Sequence, residues 1–240
     1  MDPATRDGSQ FHELRMTHGG TGLLFLALAS AFHYGTSVEL LVPVTVSSQS
    51  TTGAVRSVWM EVSVPLLIRT YLLIAALHHL SLVLPGIFTA YVSSVKDEAN
   101  AFRWSEYTFS ASIMTVVLAL VLGIDDFDAL LLIAVAMGTC NLGGLAAERT
   151  RSVLVHVFAW IPFSVCWVVL TRAYLSGIHA PLVDFLFPVM FAAFVTFGII
   201  QVLHMIGVLK RYVHVEYAYT LMSLATKTLM ALILFLGAEV

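Results

Sequence analysis

Charged residues are scarce in this chain of 240 residues: Asp, Glu, Lys and Arg together make up 11% of it. A soluble domain carries about 25% charged residues, so this composition excludes an ordinary water-soluble protein. The net charge is only −3, and the absence of a basic run argues against nucleic acid as a partner. The hydrophobic content of 59% instead indicates a protein that crosses a lipid bilayer several times.

Cysteine is scarcer still, with two residues, and Cys140 and Cys166 each stand alone in an apolar stretch. They are expected to be packing residues, with no disulfide and no metal site. No nucleophile–base pair stands out either, so we do not expect an enzyme. Residues 1–15 lack an apolar segment, which argues against a cleaved signal peptide.

Seven apolar stretches approach the roughly 20 residues that a membrane helix needs. They are 18–38, 62–84, 102–123, 127–147, 152–175, 181–208 and 215–237. The second could continue past Pro85 to about Tyr91. The sequence therefore predicts an all-α membrane protein, with a cytoplasmic tail over 1–17 and a seven-transmembrane-helix bundle over 18–240.

One connection, 39–61, is long and contains two β-favouring runs, 42–46 and 55–59, around a turn-rich segment. It predicts a small β-hairpin outside the bilayer in the first loop. If the N-terminus is cytoplasmic, the inner segments hold eight Lys and Arg residues and the outer segments only two. By the positive-inside rule, the N-terminus is then cytoplasmic, and the hairpin and C-terminus are extracellular.

Lys227 lies near the middle of the last apolar stretch, where a charge is costly and is usually paired or functional. One chemical use for such an amine is a Schiff base with an aldehyde cofactor. Ser223, Thr220 and Glu216 precede it on the same helix face, so the lysine has a polar approach from the cytoplasmic side.

Glu106 is the other conspicuous charged residue within a span, and it is the candidate counter-ion for a protonated Schiff base at Lys227. The alternative is that Glu106 lies at the membrane interface and pairs with Arg103.

Several further polar residues fall on the cytoplasmic half of the bundle. His18 and His79 are either members of a proton relay or hydrogen-bonded packing residues. His78 and His79 are about 100° apart on their helix, so at most one faces the interior squarely, and we favour His79. Others could extend a polar cavity or tie helices together; they are Asn141, Glu148, Gln201 and His204.

Seven spans, a lysine in the seventh and an Arg103-Trp104-x-Glu106 motif in the third resemble a microbial rhodopsin. The inverted charge bias and the long first loop resemble heliorhodopsin more specifically. This resemblance implies all-trans retinal bound to Lys227, Glu106 as its sole counter-ion, and a polar cavity that includes His18, His79 and Ser223. It also implies a homodimer with the first loop at the interface.

Candidate retinal-pocket residues follow from the same resemblance. They are Tyr107, Ser110, Met114, Trp160, Phe194 and Phe197. Phe194 and Phe197 share a helix face and could clamp a polyene, although such a pair is also common in ordinary core packing.

Polar groups near Lys227 concentrate on one side, and residues 116–122 of the third span carry none. This favours a light sensor that does not pump ions and that signals to an unknown partner through a changed conformation. One alternative is a light-gated passive proton conductance that uses His33, Tyr34 and Arg69 on the outer half. A second is a retinal-free transporter, against which no internal repeat is visible.

Overall fold

The computed structural model describes residues 3–35, 40–51 and 53–237. Within these ranges the chain forms eight helices and one two-stranded hairpin. The elements are α1 Pro3–Gly35, β1 Leu41–Ser50, β2 Gly53–Ser63, α2 Val64–Ser81, α3 Pro85–Lys96, α4 Ala101–Val121, α5 Phe127–Thr150, α6 Val153–Ser176, α7 Pro181–Met205 and α8 Tyr212–Gly237.

Six helices, α2 and α4 to α8, are long and apolar enough to cross a membrane. Helix α1 is polar in its first half, but its 33 residues pack along α2 and α8 and complete a bundle of seven long helices. The predicted fold class, a helical membrane bundle with a small hairpin after the first helix, is confirmed.

The beginning of the bundle differs from the prediction. Residues 3–17 are not a separate tail, because α1 is one continuous helix from Pro3 to Gly35. Leu14 in this segment is fully buried, and the guanidinium of Arg15 donates to the carbonyl oxygen of Val83. The predicted ends at 1–2, 36–38 and 238–240 lie outside the described residues.

The second predicted span, 62–84 with an extension to Tyr91, is divided into two helices. Helix α2 ends at Ser81, and α3 starts at Pro85. Proline lacks the backbone N–H that a helix interior requires but is well suited to a first helical position. The break places Tyr91 on the short helix α3. The side chain of Tyr91 is fully buried.

The hairpin is longer than the sequence indicated. Its strands pair antiparallel from Leu41–Ser63 to Ser50–Gly53, so residues 47–50 are strand and not turn. The bounds are therefore 41–63 in place of 39–61, with Glu39 and Thr52 outside the described residues. Its position on the bundle is fixed at Asp125, whose carbonyl accepts from the N–H of Thr45 at 2.8 Å and whose carboxylate pairs with Arg56.

Polar caps determine where the helices begin next to the site. The side chain of Asn100 accepts from the N–H of Arg103, and that of Ser152 accepts from Val155. These caps satisfy backbone donors that have no partner within the helix. The Asn100 cap starts α4 three residues before Arg103 and so sets the position of the Arg103–Glu106 segment.

Candidate functional site

Lys227 and Glu106 face each other between α8 and α4. The amine Nζ lies 3.2 Å from Oε1 of Glu106 and 3.4 Å from Oε2, and it donates to Oγ of Ser223 at 2.7 Å. Lys227 is 3% exposed and Glu106 is 4% exposed. The structure thus brings together the three residues that the sequence placed at the centre of the site.

Two tyrosines contact Lys227, one at its backbone carbonyl and one at its amine. The hydroxyl of Tyr71 donates to the carbonyl oxygen of Lys227 at 3.2 Å and so ties α2 to α8. The ring of Tyr107 lies 4.9 Å from Nζ, within the range of a cation–π contact. The amine therefore has a fixed position and direction.

Arg103 does not pair with Glu106, so the alternative reading of the Arg103-Trp104-x-Glu106 motif is wrong. Its guanidinium contacts the carboxylates of both Glu148 and Glu216, and it is 4% exposed. Indole Nε1 of Trp104 donates to Glu148 at 2.6 Å, and the hydroxyl of Tyr212 donates to the same carboxylate at 3.0 Å. We call Arg103, Glu148, Glu216 and Tyr212 the arginine cluster.

A chain of hydrogen bonds connects the histidines to the arginine cluster. Nδ1 of His79 lies 2.8 Å from Nδ1 of His18, and Nε2 of His18 lies 2.8 Å from the hydroxyl of Tyr91. That hydroxyl donates its proton to Glu216 at 3.1 Å. Tyr91 therefore accepts from Nε2 of His18, and with both imidazoles neutral His79 donates to His18.

A small polar cavity lies beside Glu106, with about 240 Å³ of space that no atom fills. Its walls combine the histidines with part of the arginine cluster: His18, His78, His79, Asn100, Arg103, Glu106, Tyr107, Glu216 and Thr220. Of the two adjacent histidines, His79 was expected to face the interior, and it is buried. The half-buried His78 also reaches this cavity. Glu148 belongs to the arginine cluster and does not line it.

A larger apolar cavity begins at Lys227 and extends between α4, α5, α6, α7 and α8, with about 690 Å³ of empty space. Its walls are Trp104, Tyr107, Ala111, Met114, Met137, Cys140, Asn141, Gly144, His156, Ala159, Trp160, Phe163, Phe194, Phe197, Gly198, Gln201, Ser223, Thr226 and Lys227.

Most predicted pocket residues line this apolar cavity: Tyr107, Met114, Trp160, Phe194, Phe197 and Ser223. Ser110 is fully buried but is not part of the wall. Asn141 lines the apolar cavity and not the polar one, and its amide donates to the carbonyls of Met137 and Tyr107. Asn141 therefore ties α5 to α4.

The walls of the apolar cavity fit a long, flat apolar ligand with an aldehyde at one end. A Cβ added at Gly198 would lie 2.3 Å from Trp160, and one added at Gly144 would lie 2.4 Å from Trp104. Each indole thus packs directly on a glycine. With a primary amine at one end and mostly aromatic and apolar walls, the cavity has the lining that retinal requires.

Some site residues were not identified from the sequence. Arg103 was placed near the membrane interface, and Tyr91, His156 and Asn100 were not singled out. The carboxylate of Glu216, about three helical turns before Lys227 on the same face, was the available signal for the arginine cluster. Its partners come from distant parts of the chain, so no local pattern links them.

Comparisons with known proteins give a family and a fold. The family model for heliorhodopsin matches residues 13–238. The transmembrane domain of Salpingoeca rosetta rhodopsin phosphodiesterase is similar in structure, with a TM-score of 0.72 at 14% identity, over 99% of this chain and 88% of that one. A thermophilic rhodopsin has a TM-score of 0.67 at 16% identity, over 96% and 94% of the two chains. Comparison with curated proteins gave no match.

Proposed function

Because the chain belongs to the heliorhodopsin family, we propose that it is a light sensor that binds all-trans retinal on Lys227 as a protonated Schiff base and does not pump ions. Family and fold support a retinal-binding membrane photoreceptor in general. The observation that carries the finer proposal is the buried amine of Lys227, which faces Glu106 at 3.2 Å and opens into the apolar cavity.

Retinal, when bound, supplies absorption of visible light and a light-driven change of shape. The protein's contribution is electrostatic. Glu106 is the only carboxylate in contact with Lys227 among the described residues, so it is the counter-ion in this proposal. Ser223 accepts a hydrogen bond from the same nitrogen and helps to fix its position. A proton that leaves this nitrogen therefore meets Glu106 first.

The absence of pumping follows from the asymmetry around Lys227. The polar cavity and the arginine cluster lie toward the start of α4 and α8, which gives a displaced proton places to stay. Beyond Lys227, buried apolar side chains fill the bundle core between these helices. They include Met114, Val117, Leu118, Met230, Ala231 and Ile233. A proton held on the polar side returns by the same route.

The second candidate, a light-gated proton conductance, requires a path through this apolar part. On that side Nη1 of Arg69 lies 2.7 Å from Nδ1 of His33. Tyr34 is 86% exposed, so its side chain does not extend a path through the bundle core. The transporter alternative is disfavoured, since the apolar cavity and the family both point to a cofactor.

The remaining parts of the proposal concern the assembly. We place the N-terminus in the cytoplasm and the hairpin and C-terminus outside, from the charge bias. We also propose a homodimer through the hairpin, supported by its exposed apolar side chains Val55, Val58 and Met60. The protein is proposed to be non-enzymatic, with light information passed to a separate partner. The phosphodiesterase activity named for one similar structure belongs to that protein.

The test of this function is a transport measurement on photoactive protein. Cells or vesicles that contain the retinal-loaded protein are illuminated, while external pH and, under voltage clamp, current are recorded. We expect no sustained pH change and no photocurrent, although a flash changes the visible absorption of the same sample. A sustained pH change that a protonophore abolishes would establish pumping. A photocurrent that scales with voltage would establish conductance.

A further inference from the structure

The wall of the apolar cavity away from Lys227 is mostly aromatic but contains two polar side chains, His156 and Gln201. Helix α8 packs on α1 and α7, whereas α6 packs on α5 and α7, so the α6 wall lies across the cavity from the lysine. That wall includes His156, and Gln201 of α7 lies beside it. Polar groups at the far end are not needed for an apolar ring, so they indicate a ligand with a polar group there.

His156 has a defined protonation pattern. Indole Nε1 of Trp160 donates to Nε2 of His156 at 2.8 Å, so Nε2 is an acceptor. A neutral imidazole then carries its proton on Nδ1, which is a hydrogen-bond donor. Nδ1 is buried and has no partner with full hydrogen-bond geometry within residues 3–35, 40–51 and 53–237; the side chain of Gln201 interacts with the same imidazole but does not satisfy Nδ1 by this criterion.

A buried donor without an acceptor is costly and is normally satisfied by a ligand or an ordered water. His156 is 4% exposed, so bulk water does not reach it freely. The side-chain NH₂ group of Gln201 donates to the carbonyl oxygen of Gly144 at 2.7 Å, and its amide oxygen is a hydrogen-bond acceptor. The wall therefore combines a free donor with a neighbouring acceptor.

A hydroxyl group matches both. Its oxygen accepts from Nδ1 of His156, and its proton can be donated to an amide oxygen. We propose that the apolar cavity prefers a retinal whose ring carries a hydroxyl group, with His156 as the residue that determines this preference. The inference rests on the proposed retinal function and adds the chemical class of the chromophore.

The test is competition for the site on the full-length protein. Protein produced without retinal is given an equimolar mixture of all-trans retinal and all-trans-3-hydroxyretinal. A second sample is given an equimolar mixture of all-trans retinal and all-trans-4-hydroxyretinal. The bound chromophore is released and quantified by chromatography. We expect a preference of about two- to tenfold for at least one hydroxylated aldehyde, the gain of roughly one hydrogen bond.

Two variants show where the preference originates. His156→Leu removes the donor, so it should take up the competing aldehydes equally. His156→Gln keeps a side-chain N–H and should retain part of the preference, and it also serves if His156→Leu does not fold.

Two results contradict the inference in distinguishable ways. Normal visible bands with equal uptake of all three aldehydes by the wild type would overturn it alone and would assign the N–H of His156 to a buried water. No visible band with any aldehyde would overturn the proposed function and this inference with it.

Discussion

The two cavities that meet at Lys227 and Glu106 are built in opposite ways. The apolar cavity has walls of methionine and aromatic residues, and its shape depends on indoles packed against glycines. The polar cavity is smaller and is surrounded by histidines, an arginine and carboxylates that are linked by ion pairs and hydrogen bonds. The difference indicates that the apolar cavity determines the shape of the ligand, whereas the polar cavity determines where the proton is held.

The largest effect is expected from the arginine cluster. Arg103→Leu leaves the carboxylates of Glu148 and Glu216 buried without their cation, which should reduce the free energy of unfolding by about 3–5 kcal/mol. Thermal or chemical unfolding in detergent measures this loss, with Arg149→Gln on the exposed end of α5 as the matched control. Equal free energies of unfolding for the two variants would show that the arginine cluster does not stabilise the polar side of the bundle.

Glu106 lies at the boundary between the cavities, and its replacement tests whether charge is confined to the polar side. Glu106→Gln removes the charge that stabilises the protonated nitrogen of Lys227. The visible band should then be lost on alkaline titration about 1–3 pH units earlier than in the wild type, the usual effect of removing a close opposite charge. Glu61→Gln on the exposed part of β2 is the control, and an unchanged titration for Glu106→Gln would assign the counter-ion elsewhere.

The apolar side is tested at Gly198. In Gly198→Ala the new methyl group lies 2.3 Å from Trp160, so the indole must move. We expect a loss of about 1–3 kcal/mol in stability and a lower fraction of protein that binds retinal. Gly20→Ala in α1 meets no atom within 4 Å and should be neutral or slightly stabilising. Normal retinal uptake by Gly198→Ala would mean that this wall does not shape the ligand.

The smallest effect is expected from the histidine chain. His18→Gln disturbs the hydrogen bonds to His79 and Tyr91 without changing the apolar cavity. The absorption maximum should stay in place, while recovery after a flash changes about two- to tenfold, the equivalent of roughly one hydrogen bond. The exposed His12→Gln is the control for recovery kinetics. A shifted maximum with unchanged recovery would separate the histidines from proton return.

How far the sequence predicts this molecule depends on how local the signal is. The long apolar helices, the hairpin and the Lys227–Ser223 face follow from short-range patterns of hydropathy and spacing, whereas the break between α2 and α3 was not predicted. Glu106 was identified because an acidic residue within a span is conspicuous. The partners of Arg103 were not predicted, since Glu148 lies 45 and Glu216 lies 113 positions away from it. The unsatisfied Nδ1–H of His156 could not be predicted from the sequence, because it follows from the hydrogen bond that Trp160 donates to Nε2.

The central claim is that Lys227, where the two cavities meet, holds the chromophore. Absorption spectra of the wild type and of Lys227→Ala, each after addition of all-trans retinal, test it most directly. The account predicts a visible band in the wild type and only the spectrum of free retinal in Lys227→Ala. A visible band that survives in Lys227→Ala, or no band in correctly folded wild type, would contradict it.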